Sequence, residues 1–171
     1  MIDSRDLVIE PLSKEHDRAG FHCGIPALDR YLKQQARQDV KRRISRVFVS
    51  TEPAHPRKVI GYYTLSTLSI ELRQLPENQR RQLPRHPLPA ALIGRLAVSQ
   101  DARGKGIGRM LLADAVKRTL AVSHEIAVYA MVVDAINDDA KWFYEQFGFV
   151  SLRDAPARLF LPLKSFDSNQ V

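Results

Sequence analysis

"RLAVSQDARGKGIGRMLL", residues 95–112, carries glycines at 104, 106 and 108 between two apolar runs, with Arg103, Lys105 and Arg109 set around them. A glycine inside a helix costs about 1 kcal/mol against alanine, so three at alternate positions predict a turn that needs glycine's backbone freedom. A strand that enters such a turn and leaves as a helix builds an anion site. Successive backbone N–H groups point inward, and the helix N-terminus adds partial positive charge. The spacing narrows the anion. The nucleotide pattern G-x-x-x-x-G-K-[ST] is absent, and G-x-G-x-x-G counted from Gly104 would need a glycine where Arg109 stands. What remains is [QR]-x-x-G-x-G, filled by Arg103, Gly104, Lys105, Gly106, Ile107 and Gly108.

Outward from this loop, residues 92–98 read as a strand. Residues 106–121 read as a helix with buried rows Leu112, Val116, Leu120 and Ile107, Leu111, Ala115. Residues 7–12 and 46–50 are predicted strands, and 59–70, rich in β-branched and aromatic residues, a long one. Residues 26–43 predict a single helix, with Pro26 in its first turn and Leu28, Leu32, Ala36 and Val40 four apart. The proline- and arginine-rich stretch 73–90 reads as an irregular excursion with one helical turn. The apolar run 125–133 predicts a strand covered on both faces. Residues 137–147 predict a helix with acidic residues in its first turn and Gly148 as its stop. Residues 158–163 close as a strand, Pro162 marking an edge or bulge. Strands and helices mixed around one central sheet give the α/β or α+β class. The length predicts a single domain over 1–171.

Composition sets the partners. With 44% hydrophobic residues the chain can build a core, so it is not a disordered polymer. A formal charge of +7 favours an anionic partner. Arg30, Lys33, Arg37 and Lys41 fall at helical spacing away from the leucine stripe, and Lys41, Arg42, Arg43 and Arg46 extend that face. Arg73, Arg80, Arg81 and Arg85 load the excursion. Such runs form solvated faces in most proteins, yet two clusters beside a cleft would suit a polyanion. Cys23 has no second cysteine to pair with, which fits a reducing, cytoplasmic setting. The five scattered histidines offer no zinc spacing, so no metal is expected. The start of the chain shows no signal peptide, and no run of about 18 apolar residues predicts a membrane span.

Three stretches, in this order, resemble the GCN5-related N-acetyltransferases (GNAT). The glycine pattern is similar to that family's pyrophosphate motif for coenzyme A. "GRLAV" (94–98) resembles its splayed central strand, and "NDDAKWFYEQFGF" (137–149) its N-x-x-A-x-x-F-Y-x-x-x-G-F stretch. The resemblance implies a mixed, mostly antiparallel sheet with a splayed central strand, flanked by helices. It implies acetyl-CoA held by Leu96, Ala97, Val98, the 103–109 loop and Asn137. It also implies that Tyr144 is the acid that protonates the leaving thiolate. "FHCGIPALDRYLKQQA" (21–36), "VIGYYTLS" (59–66) and "PLPAALIGRLAV" (87–98) resemble one branch, the acetyltransferase toxins of bacterial toxin–antitoxin modules. That branch implies acetylation of the α-amine on charged tRNA, a block of translation, a ribbon-helix-helix antitoxin and a homodimer. Lys33, Arg37, Lys41, Arg42, Arg46, Arg81 and Arg85 are then the candidate tRNA contacts.

The chemistry agrees with this. A phenol of pKa about 10 keeps its proton at neutral pH, and a strand N–H near Leu96 to Val98 can stabilise the developing oxyanion. The alternative role for Tyr144 is a packed aromatic among Phe143, Phe147 and Phe149; the family match favours the acid. No carboxylate stands out as a base, Glu71 being a weak candidate. A lysine amine (about 10.4) needs such help, whereas an α-amine (about 7.7–8.0) does not. Two other functions fit the same residues. One is a GNAT enzyme for a small amine or a protein N-terminus. The other is an acyl-CoA-binding regulator without turnover, which release of coenzyme A would exclude.

Overall fold

The computed structural model describes residues 6–81 and 83–169. The N-terminal reading at residues 1–5 and position 82 of the excursion lie outside them. The eight strands β1–β8 and five helices α1–α5 fall into two compact units. The first holds the described residues up to Ser66 and Gly94–Lys117; the second holds Thr67–Ile93 and the described residues from Arg118 on.

In the first unit, β1 (Val8–Pro11), β2 (Arg46–Thr51), β3 (Gly61–Ile70, its first part) and β5 (Leu96–Val98) pair antiparallel, β2 between β1 and β3, and β5 on β3. Both faces of β2 and β3 are covered. Leu28, Tyr31, Leu32 and Ala36 of helices α1 (Pro26–Gln34) and α2 (Ala36–Lys41) pack with Val47, Val49, Tyr62 and Ala97. On the alternate residues, Phe48 stacks on its register partner Tyr63 at 5.2 Å. The Tyr63 hydroxyl donates to Asp114 Oδ2 at 2.6 Å, which ties α4 (Ile107–Val122) to β3. Cross-strand aromatic pairs of this kind hold register.

The expected single helix over 26–43 is two. Gln35 breaks it (φ −117°), and the inward Asp39 explains where its chain goes. Its carboxylate accepts the Tyr31 hydroxyl (2.8 Å) and the Gln35 amide (2.9 Å). The strand expected over 92–98 is also two. β4 (Leu88–Ile93) and β5 are separated by Gly94 and Arg95, and each pairs inside its own unit.

In the second unit, β4 pairs parallel with β6 (Ala130–Asp134), and β8 (Arg158–Pro162) pairs antiparallel with β6 and with the short β7 (Val150–Ser151). The sheet is therefore mixed and mostly antiparallel, as expected. Ile70, Leu75, Leu88, Ala90, Val132 and Phe160 are among its buried core. The strand expected over 125–133 begins only at Ala130, where β4 and β8 both supply partners; Glu125 and Ile126 are exposed in the turn after α4. Pro162 is the last residue of β8, beyond the reach of two-residue β7, so its missing N–H breaks no ladder there. The excursion holds a 3-10 turn at Leu72–Gln74 and helix α3 (Glu77–Arg80). Helix α5 spans Asp138–Phe147 and ends at Gly148.

Candidate active site

Register decides which backbone groups of β5 are free. Thr64 N–H donates to Arg95 O (3.0 Å), and Ser99 N–H donates to Ile60 O (2.7 Å). Hydrogen-bonded pairs alternate in an antiparallel ladder, so the bonded pair between these two is Tyr62 with Ala97. The N–H and C=O groups of Leu96 and Val98 therefore point away from β3, and among the described residues β5 pairs with no second strand. Leu96 and Val98 keep donors for a ligand; Ala97 of the expected set has its own committed to Tyr62. Arg95 fixes where β5 starts. Its backbone N–H donates to Thr64 Oγ1 (3.0 Å), and its guanidinium lies 3.7 Å over the Tyr31 ring.

Beyond β5, Gln100–Ala102 make a 3-10 turn and the chain enters the glycine loop. Gly104 and Gly106 both have φ of +76°, a conformation that L side chains rarely adopt. A Cβ at either would meet nothing within 4 Å, so the loop faces open space. The first N–H groups of α4 have no partner within the helix, which leaves them to an anion. Lys105 and Arg109 are exposed beside them, whereas Ile107 is buried and can offer only its N–H. Gly108 lies within the first turn of α4. This loop fits a pyrophosphate.

Arg103, the first residue of the motif, also bonds outside the loop. Its Nη2 donates to the carbonyl of Cys23, so the guanidinium braces the loop from below. Gln100 N–H donates to His22 O (2.9 Å) in the same clamp. Gly24 sits between, at φ +91°, and a Cβ there would lie 2.7 Å from Gln100 Nε2 and 3.2 Å from Arg103 Nη2. The "FHCG" stretch thus supports the glycine loop, a role that its sequence pattern announced without explaining. Gly24→Ala is expected to destabilise the protein by about 1–3 kcal/mol, the usual cost of a strained backbone. Denaturant unfolding checks this, and an unchanged midpoint would remove the clamp's role. Cys23 itself is buried; burial and the adjacent Asp29 push its thiol up to about 11, so it is inert at neutral pH.

In the second unit, Asn137 Oδ1 caps α5 by accepting the Ala140 N–H at 2.8 Å. Its carbonyl is committed to the helix, so of that side chain only the amide nitrogen is left for a ligand. Tyr144 lies on the buried face of α5, 4% exposed, edge-on to Phe143 (5.3 Å) and Phe149 (5.8 Å). Its hydroxyl has no partner among the described residues, yet no buried polar atom there is orphaned, so the oxygen keeps an opening. Burial, then the Asp134 carboxylate, raise its pKa well above the ordinary phenol range. Asp134 is held by Arg158 at 2.7 and 3.0 Å.

Glu71 caps the 3-10 turn and pairs with Arg73 at 2.8 Å, both side chains exposed. Lys33, Arg37, Lys41, Arg42 and Arg46 stand on the first unit, Lys33 half-buried and the rest exposed; Arg81 and Arg85 are exposed on the second. No group of metal-ligating side chains occurs among the described residues.

This combination of a free-edged strand, a glycine cradle and a helix N-terminus fits an acyl-CoA transferase, and the chain belongs to the GNAT acetyltransferases. The acetyltransferase (GNAT) domain family matches residues 43–151. A probable toxin TacT of Sinorhizobium fredii is 35% identical over 170 residues, covering 94% of this chain and 93% of that protein. The solved structure of AtaT complexed with acetyl-methionyl-tRNAfMet is similar at TM-score 0.90 and 29% identity, covering 97% and 100%. That of an AtaT Y144F mutant toxin bound to acetyl-CoA and the C-terminus of the antitoxin AtaR has TM-score 0.81 at 28% identity, covering 95% and 96%.

Proposed function

We propose that this protein is the toxin of a toxin–antitoxin pair, acting in the cytoplasm. It transfers acetyl from acetyl-CoA to the α-amine of the amino acid on charged tRNA. The observation that carries the reading is the open glycine cradle at Gly104 and Gly106 beside the free edge of Leu96–Val98. The similarity to AtaT, solved with acetyl-methionyl-tRNAfMet, supports the acceptor. The family match crosses both units, which supports reading them as one catalytic domain.

Acetyl-CoA supplies an activated thioester. The glycine loop, the N–H groups opening α4, Lys105 and Arg109 hold its phosphates. The N–H of Leu96 or Val98 stabilises the negative charge that develops on the carbonyl oxygen. Tyr144 gives its proton to sulfur as the carbon–sulfur bond breaks, and regains one from water. The attacking α-amine releases its surplus proton to solvent. No side chain is needed to deprotonate it, because an α-amine of pKa about 7.7–8.0 is partly neutral near pH 7.

Lys33, Arg37, Lys41, Arg42 and Arg46, with Arg81 and Arg85, receive the tRNA backbone. Binding should weaken steeply with salt, by about 0.7–0.9 in logarithmic slope per phosphate contact. Reversing Arg37 and Lys41, or Arg81 and Arg85, to glutamate should lower tRNA affinity and leave acetyl-CoA affinity unchanged. Filter binding and calorimetry measure the two. tRNA affinity indifferent to salt and to both pairs would contradict the assignment. An antitoxin bound as AtaR is bound by AtaT would neutralise the protein.

A further inference from the structure

The basic face of α1 continues past the helix. Lys33, in its last turn, also lines a hollow of about 890 Å³ on the first unit. The other charged walls are Asp17, Arg18, Arg57 and Lys58, with His16 and His55. Four fixed positive charges thus face one negative charge.

The bonds made by each group show what is left for a ligand. His16 is engaged on both ring nitrogens: Nδ1 lies 3.0 Å from the Ser13 N–H nitrogen, and Nε2 2.8 Å from Glu10 Oε1. Arg18 Nη1 donates to Leu32 O and Lys33 O at 3.3 and 3.1 Å, which fixes the floor against the end of α1. Asp17 Oδ1 accepts the Ala19 and Gly20 N–H groups at 3.1 and 3.4 Å and stays in its turn. Lys58 reaches Asp101 at 3.0 Å, but both side chains are more than half exposed, so that pair is weak and exchangeable. The side chains of Lys33, His55 and Arg57 make no hydrogen bond or ion pair among the described residues. The apolar side chains of the wall are only Ala19, Ala54 and Pro56. An amphipathic peptide finds no large apolar residue there to pack on, whereas a sugar–phosphate chain needs cations and little else.

We propose that this hollow is a second phosphate-backbone site for the tRNA, continuous through Lys33 with the basic face of α1. The proposal rests on the tRNA reading above and extends it to Arg57 and its neighbours, which no motif marked. The test uses the full chain with uncharged tRNA over a salt series, and with acetyl-CoA by calorimetry, for the wild type, Arg57→Ala and Arg57→Glu. The Arg57 side chain is exposed and makes no hydrogen bond or ion pair among the described residues, so the variants should fold, which circular dichroism and an unchanged denaturant midpoint check. Arg57→Ala should reduce the salt slope by about 1 and weaken tRNA binding severalfold, and Arg57→Glu should weaken it further. If wild-type binding is salt-dependent and both variants keep its slope and affinity, the hollow is not a tRNA site. If acetyl-CoA binding weakens instead, the hollow serves the cofactor's phosphates and the proposal is overturned. A wild type that binds no tRNA at all would instead overturn the tRNA reading itself.

Discussion

Tyr144→Phe should lower turnover by about 10²–10⁴ while the protein stays folded, the range for loss of a positioned acid. The ring is packed on both sides by Phe143 and Phe149, and phenylalanine preserves that packing. Only the hydroxyl is lost, and it makes no hydrogen bond among the described residues that the fold would miss. Acetyl-CoA affinity should hold, because the proton matters only as charge develops on sulfur. Expressed in a bacterium, the variant should no longer arrest growth. Lost stability would show that Tyr144 is a packing residue; a stable variant with near-normal turnover would show that water protonates the thiolate.

The pH profile of the wild type carries the same information. Burial, reinforced by Asp134, raises the Tyr144 pKa, so the phenol holds its proton beyond its ordinary range near about 10. Turnover at low acceptor concentration should rise with pH through the α-amine pKa, at or below about 8, and then stay flat to about pH 10. A fall beginning near neutrality would mean that another group is the acid.

Gly106→Glu should abolish acetyl-CoA binding. A residue other than glycine is strained at φ +76°, and the new side chain enters the open space in front of the loop. It also places a negative charge in the proposed pyrophosphate site. Nothing lies within 4 Å of that Cβ, so the cost to the fold is the backbone strain alone, about 1–3 kcal/mol. Calorimetry on the folded variant is the measurement, and unchanged affinity would move the cofactor elsewhere.

The motif stretches were legible because their residue types answer to local physics. The glycines at 104 and 106 stand where the backbone turns left-handed, and Gly148 stops α5. The sequence was silent wherever tertiary partners decide. Nothing local in "LIGRLAV" says that the chain leaves one set of strand partners at Ile93 and meets another at Leu96. The leucine stripe of 26–43 hid the break at Gln35, which follows from a buried carboxylate and a distant tyrosine hydroxyl. The apolar stretch before Ala130 looked like strand, but Glu125 and Ile126 bond back to the Val122 carbonyl in the turn after α4, and it is Tyr129 that first bonds across, to Pro89 and Leu163. At the site, a motif position did not foretell its side chain's partner. Arg103 turns to the Cys23 carbonyl, and Asn137 caps a helix.

The central claim is that the acceptor is the α-amine on charged tRNA. Mass spectrometry of total charged tRNA, after incubation with the protein and acetyl-CoA, tests it most directly. Charged tRNA should carry an acetyl group on the α-nitrogen of its amino acid, with one coenzyme A released for each. Unmodified charged tRNA would contradict it, whether the acetyl went to a small amine or a protein N-terminus, or acetyl-CoA was bound without turnover.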